Sequence, residues 1–259
     1  MKNAVRLYYA LVFALATLFG TSSGHAVEAP VRILPLGDSL TSGVSTFPVP
    51  GAYRNRLHTL LTNAGYNVDF VGTFTDSGNP TLPDTNHQGQ GSARIDQIQT
   101  NISGWLNAVE DPDVVLLLIG TNDFWQNYQL GSVQTRLTNL IADVATKRPF
   151  AKILVSTLPP RTDNPAIEAQ QVAFNNAIPG IIAQQVALGR QVSLVDMHAG
   201  LTAADIDGDG VHPSQAGFDK MATVWFPGIT SVITPQGTAN LPVIAKIAPM
   251  VDLNHVSVV

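Results

Sequence analysis

Five runs of apolar, mostly β-branched residues punctuate the chain, at Val31–Leu36, Val68–Val71, Val114–Ile119, Ile153–Thr157 and Val192–Val195. Several show little polar alternation, the pattern of strands buried on both faces of a parallel sheet. The intervening stretches repeat apolar residues at helical spacing. Residues 53–64 align Leu57, Leu60, Leu61 and Ala64; residues 95–109 align Ile95, Ile98, Ile102, Leu106 and Val109. Residues 133–145 align Val133, Leu137, Leu140, Ile141 and Val144. A fourth helix is expected over Asn164–Leu188, opening with Pro165 at a favoured first-turn position and kinked or split at Pro179. Ser214–Val224 reads as a last helix. Strands alternating with helices predict an open α/β sheet covered on both faces, and right-handed crossovers leave few topologies for it.

At the N-terminus, Lys2 and Arg6 precede an apolar run from Leu7 to Phe19, and Gly24 and Ala26 stand at small-x-small spacing. This predicts an export signal over residues 1–26, because the run is shorter than the ~20 residues of a membrane span. The domain is then expected over 27–234. Residues 235–259, apolar but broken by Gly237, Pro242 and Pro249, read as a tail packed on it.

Composition narrows the functional classes. With 45% hydrophobic and 13% charged residues the chain is built to form a core. Its net charge of -5 offers no basic footprint for nucleic acid. Removing the signal takes Lys+Arg from 14 to 12 against 19 acidic residues, a net of -7. There is no cysteine, which excludes disulfides, thiolate metal sites and thiol catalysis.

Three short motifs follow predicted strands, where open α/β sheets place their reactive groups. Gly37–Leu40 reads GDSL and puts Ser39 directly after the first run; alone, a Gly-Asp-Ser turn is ordinary loop chemistry. Gly120–Asp123 reads GTND, and the Asn122 amide suits either an oxyanion or an Asx turn. Asp209–Pro213 reads DGVHP, in which a short turn can aim Asp209 at His212. The order Ser, Asn, Asp, His differs from that of nucleophile-elbow hydrolases, and their G-x-S-x-G is missing; Gly89–Ser92 reads GQGS.

The blocks ILPLGDSL, IGTNDF and DGVHPS resemble those of the SGNH/GDSL hydrolases. More narrowly, GAYRNRL (Gly51–Leu57), AGYNVDFVGT (Ala64–Thr73) and HQGQGSARIDQI (His87–Ile98) resemble carbohydrate esterase family three, which contains acetylxylan esterases. The resemblance spans roughly Val31 to Gly217. It implies a three-layer α/β/α, flavodoxin-like fold with a central parallel sheet of about five strands. It also implies a secreted serine esterase removing acetyl or other short acyl groups, on carbohydrate such as xylan, without metal or organic cofactor. By that likeness Ser39 is the nucleophile, with Asp209 and His212 completing the triad. The oxyanion is met by the Ser39 N–H, the Asn122 side chain and a backbone N–H assigned to Gly91, with Ser92 as the alternative because the donor is main chain. The related motif reads His-Glu-Gly-His-Ser-Gly-Trp, so Ser92 aligns with its second glycine and Ala93 with its tryptophan.

Other candidates are weaker. His58 is expected on a helix surface, His198 at a helix cap, and His87 in a loop that could flank a substrate. His25 belongs to the signal and His255 to the tail. Trp125 and Tyr128 read either as core or as a wall for a sugar ring. Asp205, Asp207 and Asp209 mimic the opening of a calcium loop, but its twelfth position is Ala216 rather than Glu, leaving only partial calcium binding by Asp205 and Asp207 to consider. Two other functions stay open. One is a broad carboxylesterase or lipase, although Val44–Pro50 is too short and proline-rich for a lid helix. The other is a secreted carbohydrate-binding protein, which would not need Ser39, Asn122, Asp209 and His212 together.

Overall fold

The structure, a computed structural model, describes residues 29–43, 51–76 and 82–235. The signal at 1–26, the Val44–Pro50 segment and all of the tail except Pro235 lie outside the described residues. The strands are β1 (Val31–Gly37), β2 (Val68–Phe70), β3 (Phe74–Thr75), β4 (Asn86–Gly89), β5 (Val114–Leu118), β6 (Lys152–Ser156) and β7 (Val192–Val195). They form one sheet in the order β3-β4-β1-β5-β6-β7, with β2 also paired to β1. Every pairing is parallel except β3 with β4. All five expected strands are present. The described residues add two more, β3 and β4: β2 covers the first half of one edge of β1, and β4, with β3 antiparallel beside it, covers its end through Leu36↔Gln88 and Gly37↔Gly89. β4 has no apolar run to announce it: its sequence is Asn-His-Gln-Gly, and pairing supplies what hydrophobicity does not.

The helices are α1 (Ser39–Ser42), α2 (Tyr53–Asn63), α3 (Ile95–Ala108), α4 (Thr121–Trp125), α5 (Val133–Lys147), α6 (Pro165–Ala187), α7 (Met197–Gly200) and α8 (Gln215–Thr230). α2 packs with α8, and α5 lies between α3 and α6, which gives the layer on either side of the sheet. The middle of the sheet is dry: β5 is buried at every position. α6 opens as expected, with Asn164 accepting from Ala166 N and Ile167 N and Pro165 in the first turn, but it runs on through Pro179 without splitting. α8 likewise continues beyond Val224, through Pro227.

The order in which strands are laid down changes side at β1: β2 and β4 lie on one side of it and β5 to β7 on the other, all parallel to it. A crevice opens there, beyond the carboxyl ends of β1 and β5. The strands approach closely at that point. A Cβ on Gly37 would lie 2.1 Å from the Leu118 carbonyl oxygen, so no other residue fits the end of β1. The next residue, Asp38, caps α1 by accepting from Leu40 N at 3.0 Å and is wholly buried. Burial pushes its carboxyl from 3.8 up to about 7, against the opposing pull of the Leu40 N–H.

Arg54 of α2 is also wholly buried. Its Nε donates to Thr41 O at 3.1 Å and its Nη2 to Ser42 O at 3.5 Å, at the end of α1. Its Nη1 donates to Thr85 O and Asn86 O, both at 3.4 Å, where β4 begins, and Asp76 is its counter-ion.

Two stability predictions arise here. A carboxyl with a raised folded pKa holds its proton where the unfolded chain has lost it, so its contribution declines as pH rises from about 4 through about 7. Asp38→Asn keeps a capping oxygen and removes that slope. The Tm of the variant relative to the parent should therefore climb across that window in calorimetry. Arg54→Met strands four carbonyls and Asp76, and should lower stability by about 3–5 kcal/mol in denaturant titration.

Candidate active site

Ser39 opens α1 just beyond β1 and is 8% exposed. Its Oγ lies 2.9 Å from His212 Nε2, and His212 Nδ1 lies 2.7 Å from Asp209 Oδ2. The remaining oxygen of Asp209 accepts from Val211 N and His212 N, both at 2.9 Å. Desolvation works against this carboxylate, but the two N–H bonds and the His212 ring outweigh it and hold it below the usual carboxylate range. The loop carrying the pair is closed on itself by Asp207 N to His212 O at 2.7 Å and by the Ile206–Pro213 bridge. It rests on the segment that leaves β6: Thr162 N donates to Gly210 O at 2.7 Å. Gly210 has φ +73°, and a Cβ there would lie 2.5 Å from Asp163 N, so both conformation and space demand glycine.

Asn122 is the second residue of α4, two past Gly120, which caps that helix after β5. Its Nδ2 donates to Ala93 O at 3.1 Å and reaches Asp38 Oδ2 at a longer 3.4 Å. Ala93 closes a tight turn with Gln90, N to O at 3.2 Å, and the N–H groups of Gly91 and Ser92 at the centre of the turn have no acceptor among the described residues. The left-handed residue is Ser92, at φ +60°, not Gly91, and a Cβ on Gly91 would meet open space. Gln126 pins the turn by donating to Ser92 O at 3.2 Å, and Arg94 Nη1 fixes Gln126 in turn at 2.5 Å.

These groups line one cleft of about 480 Å³, bounded by Ser39, Gly91, Ser92, Thr121, Asn122, Trp125, Gln126, Asp209, Val211 and His212. The structure thus brings together every residue that the sequence reading placed at the site. The outlying candidates go elsewhere. His87 belongs to β4, not to a loop; it is 5% exposed, accepts from Gly89 N through Nδ1 and packs on Phe74. His58 is half-buried against the edge of Phe70 rather than on the surface. His198 donates its N–H to Thr157 Oγ1 and pairs with Glu168 at 2.8 Å. Tyr128 lies under the guanidinium of Arg94, while Trp125 stands 57% exposed on the cleft wall. Asp205 is occupied by Lys220 at 2.7 Å and by Thr202, and no group of three potential ligands gathers among the described residues.

Sequence reasoning missed the supporting residues. Asp38 passed as part of the GDSL string, and nothing in the spacing of Gln126 or Arg161 points to the turn or the loop each one serves. Arg161 is 5% exposed and fastened to Asp163 by two bonds of 2.7 Å, on the segment beneath Gly210.

Residues 36–220 match the GDSL-like lipase/acylhydrolase family. A multidomain esterase of Ruminococcus flavefaciens is 28% identical over 255 residues, covering 88% of this chain and 33% of that protein. The chain therefore spans one third of the length of that relative. A family 3 carbohydrate esterase from Clostridium thermocellum superposes with TM-score 0.69 at 37% identity, over 79% of this chain and 98% of that one. A carbohydrate esterase of family 3 from Talaromyces cellulolyticus gives 0.67 at 28% identity, over 78% and 97%. With the site geometry, these likenesses establish that the chain belongs to the GDSL-like lipase/acylhydrolase family and is an esterase related to the carbohydrate esterases.

Proposed function

We propose that the chain is an exported serine esterase that removes acetyl groups from carbohydrate such as xylan, through an acyl-enzyme on Ser39. The continuous chain from Ser39 Oγ to His212 to Asp209, at 2.9 and 2.7 Å, carries this reading. Export rests on the signal pattern at residues 1–26; among the described residues no helix is long and apolar enough to cross a membrane. The carbohydrate substrate rests on the kinship with carbohydrate esterases.

In the proposed reaction His212 Nε2 takes the Ser39 proton as Oγ attacks the ester carbonyl. Asp209, held ionised, keeps the other ring proton on Nδ1 and stabilises the imidazolium that forms. The oxyanion forms against the N–H groups of Ser39 and Gly91 and the Asn122 amide, whose bond to Asp38 is long enough to yield. Ser92 N–H is the other free donor of the same turn. Collapse expels the sugar hydroxyl, which takes the proton from His212. Water then repeats the sequence, and acetate leaves with Ser39 restored.

Ser39→Ala should abolish acetate release from acetylated xylan and from p-nitrophenyl acetate while leaving Tm near that of the parent; retained turnover in a clean preparation would refute the mechanism. Asn122→Ala should lower kcat by ~10²–10³ with a smaller change in KM, measured on p-nitrophenyl acetate. Faster hydrolysis of palmitate than of acetate esters by the parent would keep the mechanism and replace the substrate class with lipids.

A further inference from the structure

The indole of Trp125 is an expensive residue to leave in water, and the fold leaves it 57% exposed on the wall of the cleft. It is the one aromatic among the described residues that line this cleft. Its position is fixed by the site itself. Trp125 follows Asn122 by three residues on α4, so the ring stands on the same side of the helix as the amide, about 4.5 Å further along the axis. The ring is also braced. The Arg161 guanidinium lies over it, 5.5 Å from the centroid, and is itself immobilised by Asp163 at 2.7 Å and Gln171 at 3.3 Å. A cation on one face leaves the other face for a ligand. Beside the ring the wall offers uncharged polar groups, Gln126, Ser92 and Thr121, and among the described residues no lysine or arginine lines the cleft. A flat aromatic face flanked by amide and hydroxyl groups suits a neutral pyranose, which presents a face of C–H bonds and a rim of hydroxyls.

We infer that Trp125 is a specificity-determining residue: its open face stacks on the sugar ring that bears the acetyl ester, seating the carbonyl over Ser39. This rests on the carbohydrate-esterase reading above. Binding energy gained on the ring favours sugar esters over alkyl esters of the same acid, since only the former reach the indole.

The test compares kcat/KM for acetylated xylobiose with that for ethyl acetate, which shares the acyl group and has no ring. Trp125→Ala should lower this ratio about three- to tenfold, mainly through KM on the sugar ester, and Trp125→Phe should restore most of it. A second readout uses intrinsic fluorescence, in which Trp225 is fully buried. Acetylated xylobiose should shift the emission of Ser39→Ala but not that of Ser39→Ala with Trp125→Phe. A parent enzyme that cleaves acetylated xylobiose, with an unchanged ratio in Trp125→Ala and no loss of the fluorescence response, overturns the role of Trp125 and leaves the carbohydrate reading intact. A ratio that falls in Trp125→Ala and is not restored by phenylalanine also overturns stacking. A parent that hydrolyses ethyl acetate and leaves acetylated xylobiose untouched overturns both.

Discussion

Arg54 places a guanidinium in the interior of the protein, where a charge without partners would not be tolerated. It is held because the carbonyls of Thr41 and Ser42 end the first helical turn and those of Thr85 and Asn86 begin the fourth strand, all within its reach. Asp76 supplies the opposite charge. The consequence is geometric. The first pair of carbonyls belongs to the turn that opens with Ser39, and the second to the strand that leads into Gly91 and Ser92. One rigid fork therefore sets the distance between the Ser39 hydroxyl and the turn that is proposed to receive the oxyanion. Because its donors point in fixed directions, the fork constrains orientation as well as separation.

The remainder of the site is supported in the same manner, by side chains that do no chemistry. Asp38 lies behind both Ser39 and Asn122. Gln126, at the end of α4, holds the Gly91–Ser92 turn and is held in turn by Arg94, the N-cap of α3, which supports Ser92 in a backbone region that serines rarely adopt. The segment after β6 carries the Asp209–His212 loop on its backbone and Trp125 against its arginine. Groups that must stay within a few tenths of an ångström of one another thus rest on strand ends and on residues buried beneath them.

Much of this was legible in the chain. Continuous apolar runs such as Val114–Ile119 are hard to read as anything but doubly covered strands, and the GDSL, GTND and DGVHP blocks each follow one. What the pattern could not announce was β4, whose Asn-His-Gln-Gly sequence is polar yet buried because its edge completes the sheet beside Gly37. His87 was misplaced for that reason: a histidine in a polar stretch reads as loop until pairing is known. Pro179 does not split α6, whose helix continues on both sides of the proline. Supporting residues such as Arg54 and Arg161 were invisible as such, because a buried arginine is recognised by the carbonyls and carboxylates around it, and these come from distant parts of the chain.

The order of the site along the chain has a consequence for how the protein comes into being. The proposed nucleophile is made early, at position 39, and its proposed base late, at position 212, with β2 to β6 emerging between β1 and β7. The chain leaves a ribosome or a translocation pore from its amino end, so the hydroxyl waits through most of synthesis as an ordinary alcohol. Asp209 and His212 arrive together on one short loop, and that loop is seated only when it can rest on Thr162 and Asp163. On the proposed mechanism, reactivity is therefore acquired in a single late step, and nascent or truncated chains lacking the last fifth of the sequence carry Ser39 without the pair proposed to activate it.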